Sequence, residues 1–286
     1  MARVEVRKTH KLYVGGAFAR SESGRTYEVR DAKGRFTAHA ARASRKDARD
    51  AVAAARKAFA GWSSRTPYNR GQILYRVAEI LEGRREQFVS QLRGGEGASQ
   101  RQAEAAVDAT IDRWVWYAGW PDKLAQVTGN ANQVSAPYFN LSTPEPTGVV
   151  AVAAPQVSSL LGLVSVVAPA IVSGNTVVVV SSYERPLPAV TLSEVLATSD
   201  VPAGVVNILT GDVAEIGPRL ATHADVNAFD LSGVHDAGLA AALEADAAVN
   251  LKRVIRPGID DWDADPGLDR MLALLEVKTV WHPVGV

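Results

Sequence analysis

The sequence predicts an α/β fold built on an open, doubly wound sheet of parallel strands, with a helical region ahead of it. Three observations carry this. Residues 147–182 contain two short apolar runs, 149–154 and 176–180, bounded by Pro or Gly-Asn and rich in Val. Strands covered by helices on both faces read this way, because neither face meets water. Between the runs, residues 158–173 are long enough for a helix and apolar at most positions, so the stretch is a βαβ unit with a right-handed crossover. The alternation then continues with a helix at 186–199, a strand at 205–209, a helix from Asp212, a strand at 228–231, a helix at 236–247 and a strand at 251–255. Five strands alternating with four helices make an open sheet that binds ligands at the C-terminal ends of its strands.

The elements ahead of the sheet have their own signals. Residues 11–43 alternate apolar and polar around Gly15-Gly16, Ser23-Gly24 and Lys33-Gly34, which predicts short strands in a meander. Ser44 with Asp47 has capping-box spacing and opens an Ala-rich helix with Val52, Ala55, Phe59 and Trp62 on one face. Thr66-Pro67 is an N-cap followed by Pro at the first helical position, ahead of Ile73, Leu74, Val77, Ile80 and Leu81. Ser99 with Gln102 is a second capping box, leading into Val107, Ile111, Trp114 and Tyr117. Residues 121–147 are polar and punctuated by Gly129, Asn130, Pro137, Pro144 and Pro146, so an extended arm or exposed hairpin is expected. In the sheet region, Glu215 stands at capping spacing from Asp212. Residues 256–267 break the pattern with acid, Pro and Gly; one more amphipathic helix and a strand at 277–281 follow.

Composition narrows the function. Lys plus Arg is 31 and Asp plus Glu is 31 in 286 residues, so no nucleic-acid or anionic-membrane footprint is expected. The basic residues Arg3, Arg7, Lys8 and Lys11 read as a solvated arm. The absence of cysteine excludes a disulfide, a thiolate nucleophile and a cysteine metal ligand. The first residues lack the apolar core of a signal peptide, and the most apolar helix is too short to span a bilayer comfortably, so a cytoplasmic protein is expected. Asp261, Asp263 and Asp265 have calcium-loop spacing, but Pro266 replaces the expected Gly and Leu272 the bidentate Glu, which favours a solvated linker. The histidines at 10, 39, 223, 235 and 282 show no spacing suited to one metal face. No GxSxG elbow, Walker loop or HExxH is present.

Several separated motifs occur in one order: KLYVGGAF, SGRTYEV, DARDAVAAARKAFAGW, WYAGWPDKL, EPTGVVAVAAP, APAIVSGNTVVV, VPAGVVNILTG, AVNLKRV and LLEVKTVWHPVGV. Through them the chain resembles the NAD(P)-dependent aldehyde dehydrogenase superfamily from end to end, with a large piece missing. The resemblance implies a Rossmann-like cofactor domain, a catalytic domain and a small β oligomerisation element. Between Val254 and Leu268 there is little more than a linker, where a full member would carry a domain of roughly 200 residues. The implied organisation is an N-terminal arm and helices at 1–120, an oligomerisation arm at 121–147, and a cofactor-type domain at 148–256. A linker at 257–267 stands in for the catalytic domain, and a C-terminal helix and oligomerisation strand occupy 268–286. Residues 135–146 and 277–283 are read as the oligomerisation element, with Tyr138, Lys278, Val280 and Trp281 at its interface.

The departures from the family decide the functional expectation. Its members attack the aldehyde with a cysteine thiolate, and this chain has none. The family's oxyanion asparagine is matched by Val157, its ribose-gripping lysine by Val180 and the glutamate three residues on by Tyr183. Its pyrophosphate-capping Gly-Ser pair becomes Gly233-Val234, and Arg256-Pro257-Gly258 follows the strand that precedes its general-base glutamate. No catalytic residue is therefore assigned. Pro155, Ser181, Gly211 and Gly233 remain as vestigial cofactor-binding positions; no cofactor is expected to be required, and NAD(P) binding is expected to be weak at most. The expected function is a noncatalytic, aldehyde-dehydrogenase-like pseudoenzyme subunit that assembles with a complete aldehyde dehydrogenase or with itself. The alternatives are a degenerate NAD(P)-binding regulatory protein, or an oxidoreductase active only within a complex.

Overall fold

Alternate side chains of the central strands enter two separate apolar cores, which is why those strands read as unbroken runs of Val and Ala. The computed structural model describes residues 8–285; Arg3 and Arg7 lie outside the described residues. Five short strands, β1 (Thr9–His10), β2 (Leu12–Val14), β3 (Ala17–Ala19), β4 (Thr26–Arg30) and β5 (Phe36–Ala41), come first. Four helices follow, α1 (Arg45–Ser63), α2 (Pro67–Glu82), α3 (Arg85–Gly95) and α4 (Gln100–Ala118). Both expected capping boxes form, Ser44 with Asp47 and Ser99 with Gln102, and Thr66 caps α2 with Pro67 at its first position. Helix α3 has no side-chain cap and so left no start signal; the burial of Phe88, Val89 and Leu92 holds it instead.

The strands of residues 11–43 do not form one meander. β2 and β3 pair with each other and extend the large sheet, whereas β4 and β5 pair antiparallel, with β1 parallel to β5, in a sheet of their own. The first hairpin is captured by its turn. Gly15 and Gly16 both have positive φ, and the Gly15 amide donates to the Asn207 side chain at 2.9 Å.

Residues 121–147 give a short helix, α5 (Leu124–Thr128), and then the antiparallel strands β6 (Asn130–Asn132) and β7 (Tyr138–Pro146). The large sheet contains β8 (Val149–Ala153), β9 (Thr176–Val180), β10 (Val206–Leu209), β11 (Ala228–Asp230) and β12 (Arg253–Ile255). They are joined by α6 (Leu161–Val172), α7 (Leu187–Leu196), α8 (Val213–Thr222) and α9 (Ala237–Ala248). The order is β12-β11-β8-β9-β10-β2-β3; the first five are parallel and β2 is antiparallel to β10. The chain leaves β8 toward β9 and later returns to its other side with β11, so the topological switch point lies between β8 and β11.

Val150, Val152, Val177, Val179, Val206 and Ile208 pack with Leu74, Trp114, Leu163 and Leu192. Val149, Ala151, Ala153, Val178, Val180, Leu209 and Phe229 pack on the other face with Val52, Ile216 and Leu243. Burying each Val or Leu contributes about 1.5–3 kcal/mol, so both faces of the sheet resist any polar substitution. Two local expectations are corrected. Helix α6 starts at Leu161 rather than 158, because the Ser158 hydroxyl accepts from the Gly162 amide at 2.9 Å and serves as a turn. Asp212 does cap α8, but Glu215 completes no capping box: Arg25 and Arg42 take its carboxylate at 2.6 and 2.9 Å.

After β12 the described chain has no regular element until α10 (Asp269–Ala273), only five residues long. β13 (Leu275–Pro283) then pairs antiparallel with β7 along nine residues, longer than the expected 277–281, and gives the three-stranded sheet β13-β7-β6. Asn175 fixes where this sheet leaves the body. Its side chain accepts from the Gly148 amide at 2.7 Å and donates to the Leu274 carbonyl at 2.9 Å, tying the first residue of the βαβ unit to the root of β13.

Candidate functional site

The four vestigial positions fall along one edge, at the C-terminal ends of four neighbouring strands. Gly233 follows β11, Pro155 follows β8, Ser181 follows β9 and Gly211 follows β10. Their backbone donors are largely committed. The Gly233 amide donates to the Ala153 carbonyl at 2.9 Å, the Ser232 amide to Asp230 at 2.9 Å and the Ser181 amide to the Leu209 carbonyl at 2.9 Å. Gly233 also lies so close to β8 that a Cβ there would overlap the Ala154 carbonyl oxygen. The segment after β11 therefore fills the crevice at the switch point.

The loops after β8 and β9 are fastened to each other. Gln156 Oε1 accepts from the Tyr183 amide at 3.0 Å, and Gln156 Nε2 donates to the Ala154 carbonyl at 2.8 Å. Ser182 Oγ donates to the Gln156 carbonyl at 3.0 Å, and Arg185 Nη1 to the Val157 carbonyl at 2.8 Å. The Tyr183 ring stacks on Tyr27 of β4, with centroids 4.6 Å apart and planes within 7°. Burial, with Tyr183 second, pushes the Tyr27 hydroxyl far above the usual phenol range, so it stays protonated. At the N-terminus of α6, where an anion would be favoured, Glu96 supplies a carboxylate from within the chain: the Ser159 amide and hydroxyl donate to it at 2.9 and 2.6 Å.

A cavity of about 400 Å³ lies beside the segment that follows β12, lined by Arg113, Tyr117, Ser165, Trp262 and Arg270 among others. Arg113 donates to Ser165 Oγ and to the Trp262 and Ala264 carbonyls at 2.8–2.9 Å, which fixes the segment against α4 and α6. Asp261 and Asp265 accept from the backbone amides of Asp263 and Gly267, so they cap turns. Among the described residues, no three of His, Cys, Asp or Glu are placed to hold a metal ion. No described helix is long and apolar enough to cross a membrane.

The four positions expected at an interface lie together on the β13-β7-β6 sheet. Tyr138 and Trp281 meet edge to face with ring centroids 5.8 Å apart, Lys278 pairs with Glu145 at 3.2 Å, and Val280 stands opposite Leu141. Val277, Trp281 and Tyr138 are exposed on one face, and Phe139, Leu141 and Val280 on the other. Asn132 donates to Asn140 and Ser142, and the Ser142 and Thr279 hydroxyls share a hydrogen bond at 2.9 Å, so a polar ladder crosses all three strands.

Residues 18–256 match the model of the aldehyde dehydrogenase family. The chain belongs to that family. It is 34% identical over 234 residues to the cytosolic 10-formyltetrahydrofolate dehydrogenase of Xenopus tropicalis, a span of 80% of this chain and 26% of that protein. An aldehyde dehydrogenase of Aspergillus niger is 31% identical over 245 residues, covering 85% of this chain and 48% of its own length. Among solved structures, an NAD+ complex of an aldehyde dehydrogenase from Bacillus cereus superposes with a TM-score of 0.80 at 25% identity, over 86% of this chain and 50% of that one. HpcC from Thermus thermophilus gives 0.81 at 27%, over 86% and 47%. The chain thus spans half or less of each of these relatives.

The positions that the sequence resemblance implies for the family's chemistry fall in three different settings. Val157 is 68% exposed, Val180 is fully buried in the second core, and Tyr183 is held by the stack on Tyr27. The family match ends at residue 256, the point where regular alternation also ends. The fastened loops, the Tyr pair and the Glu96 carboxylate were beyond sequence reasoning, because each joins residues from elements far apart in the chain.

Proposed function

We propose that this member of the aldehyde dehydrogenase family is a noncatalytic, cytoplasmic subunit whose role is assembly, with a second copy or with a complete aldehyde dehydrogenase. The observation that carries the proposal is the β13-β7-β6 sheet, which exposes large apolar side chains on both faces. Large apolar side chains exposed together on one small sheet mark an interaction site. The strand-end edge supports the same reading. Dinucleotide binding needs free amides at a helix or loop and a polar grip on the ribose. Here the Gly233 amide is spent on Ala153, the ribose-grip position is the buried Val180, and Tyr183 is stacked on Tyr27. The residues present do not fit NAD(P). With no cysteine, the chain also lacks the family's nucleophile. Co-expression with a complete family member followed by size-exclusion chromatography tests the proposal. Co-elution, or a stable self-assembly, is expected together with no aldehyde turnover by the isolated chain; two species eluting independently as monomers would sink it.

A further inference from the structure

We infer that the cavity between α4, α6 and the segment after β12 binds a small zwitterion of the amino-acid class. Its carboxylate meets Arg113 and Tyr117, and its ammonium meets carboxylates of the segment. This goes beyond the assembly reading and does not depend on it. The family match ends at residue 256, whereas one wall of the cavity comes from residues 260–273, so that wall lies outside the match. The opposite wall is Arg113 and Tyr117 of α4 with Ser165 of α6.

Arg113 and Tyr117 stand about one helical turn apart, on the same face of α4. They are 8% and 1% exposed, and both keep unspent donors. Of the five N–H groups of a guanidinium, three on Arg113 bond Ser165 Oγ and the Trp262 and Ala264 carbonyls. The Nε–H and one Nη1–H remain, and among the described residues no carboxylate lies within ion-pairing distance. Asp263 and Asp265 offset its charge only from further away. The Tyr117 hydroxyl has no hydrogen-bond partner among the described residues either. Burial pushes it up to about 12, against the nearby Arg113 and Arg270, so it stays protonated and donates. A buried cation is costly unless paired, and donors alone on this wall suit a carboxylate.

The remaining charges of the cavity select the second group. Arg256 is taken by Glu244 at 2.5 Å, and Arg270 by Asp230 and Asp260 at 2.8 Å. Asp261, Asp265 and Asp269 also line the cavity and make no ion pair among the described residues. Asp261 and Asp265 each give one oxygen to a backbone amide and keep the other. A simple carboxylate would be repelled by this rim, and a simple amine would leave Arg113 unpaired. A zwitterion satisfies both walls. Ile255, Pro266 and Ala273 complete the lining with apolar surface, and about 400 Å³ accommodates a side chain such as that of leucine.

Leucine, isocaproate and isopentylamine share one carbon skeleton and differ only in their charged groups. Calorimetry on the full chain should show saturable binding of leucine. Isopentylamine, which forgoes the charge-assisted bonds to Arg113 and Tyr117, should bind at least about tenfold more weakly. Isocaproate, which forgoes only the exposed pairing at the rim, should bind about threefold more weakly. Tyr117→Phe keeps the ring and should weaken leucine about tenfold. Asp265→Asn keeps the turn acceptor and should weaken leucine without weakening isocaproate. Leucine at about ten times its dissociation constant should also slow cleavage at Asp261 and Asp263 by an aspartate-specific protease about tenfold, because the segment must open first. Isocaproate binding as tightly as leucine overturns the inference, as does leucine binding unchanged by either substitution. The absence of any saturable heat with leucine overturns it too.

Discussion

Arg270 reaches from α10 to Asp230 at the end of β11 and closes a 2.8 Å ion pair on a carboxylate that is only 1% exposed. Its second nitrogen holds Asp260 at 2.8 Å, and its guanidinium lies 5.0 Å from the centre of the Trp262 ring. One side chain thus joins the switch point, the irregular segment and the helix that leads into β13.

This pair should dominate the pH response of an Arg270 variant. Burial pushes the Asp230 carboxyl up, opposed by Arg270 and by two hydrogen bonds from Ser232. Arg270→Met removes the main opposing influence, so at neutral pH it should cost about 3–5 kcal/mol, the range for an orphaned buried charge. With the folded-state pKa of Asp230 above its unfolded value, stability is retained at low pH and lost as pH rises. Urea midpoints should therefore show a deficit that shrinks toward acid, and adding Asp230→Asn should recover most of it.

Glu215 predicts the opposite slope. Its carboxyl is pulled below the usual range, first by the hydrogen bond from Arg25, which burial opposes, and then by Arg42. A depressed folded-state pKa means stability present above the unfolded value near about 4.3 and lost as pH falls. Glu215→Gln should cost about 0.5–1 kcal/mol at pH 7, since both arginines are partly exposed. The difference should disappear toward pH 3 in thermal melts.

Arg113 controls the segment that follows β12. Its two hydrogen bonds to the Trp262 and Ala264 carbonyls are charge-assisted and half-buried, worth about 1.5–3 kcal/mol each. Arg113→Met should therefore raise local opening at least ~10-fold while moving the global midpoint less. A protease specific for aspartate, acting near Asp260, Asp261, Asp263 and Asp265, reads this directly; an unchanged cleavage rate would contradict it.

The sheet was legible in the sequence because burial on two faces leaves its mark on every residue of a strand. Val149, Val178 and Phe229 could not be polar in a core of this kind, nor could Val152 and Val179 in the one on the opposite face. Helix starts were legible where a cap is local, as at Ser44 and Ser99, and illegible at α3, where only burial holds the turn. Glu215 misled because capping spacing says nothing of Arg25, 190 positions away. The candidate edge was legible as a set of aligned positions. The contacts that fill it, Gln156 to Tyr183 and Glu96 to Ser159, depend on chain packing that no local pattern encodes.

The same packing predicts how the edge responds to an attempt at repair. Calorimetry with NAD, NADP and their reduced forms should give no heat at about millimolar ligand, and a saturable heat would contradict the statement that the strand-end edge does not fit a dinucleotide. Installing Val180→Lys and Tyr183→Glu would restore the two side chains that the sequence resemblance implies for a ribose grip at these positions. The lysine would enter a core lined by Val149, Val178 and Leu209, with no carboxylate among them, at a cost of several kcal/mol. The glutamate would remove the ring stacked on Tyr27. Neither change frees the Gly233 amide or moves its backbone from the Ala154 carbonyl. The double variant should therefore melt earlier than the parent and still bind no dinucleotide, because the obstruction lies in the path of the backbone after β11 as much as in the two lost side chains.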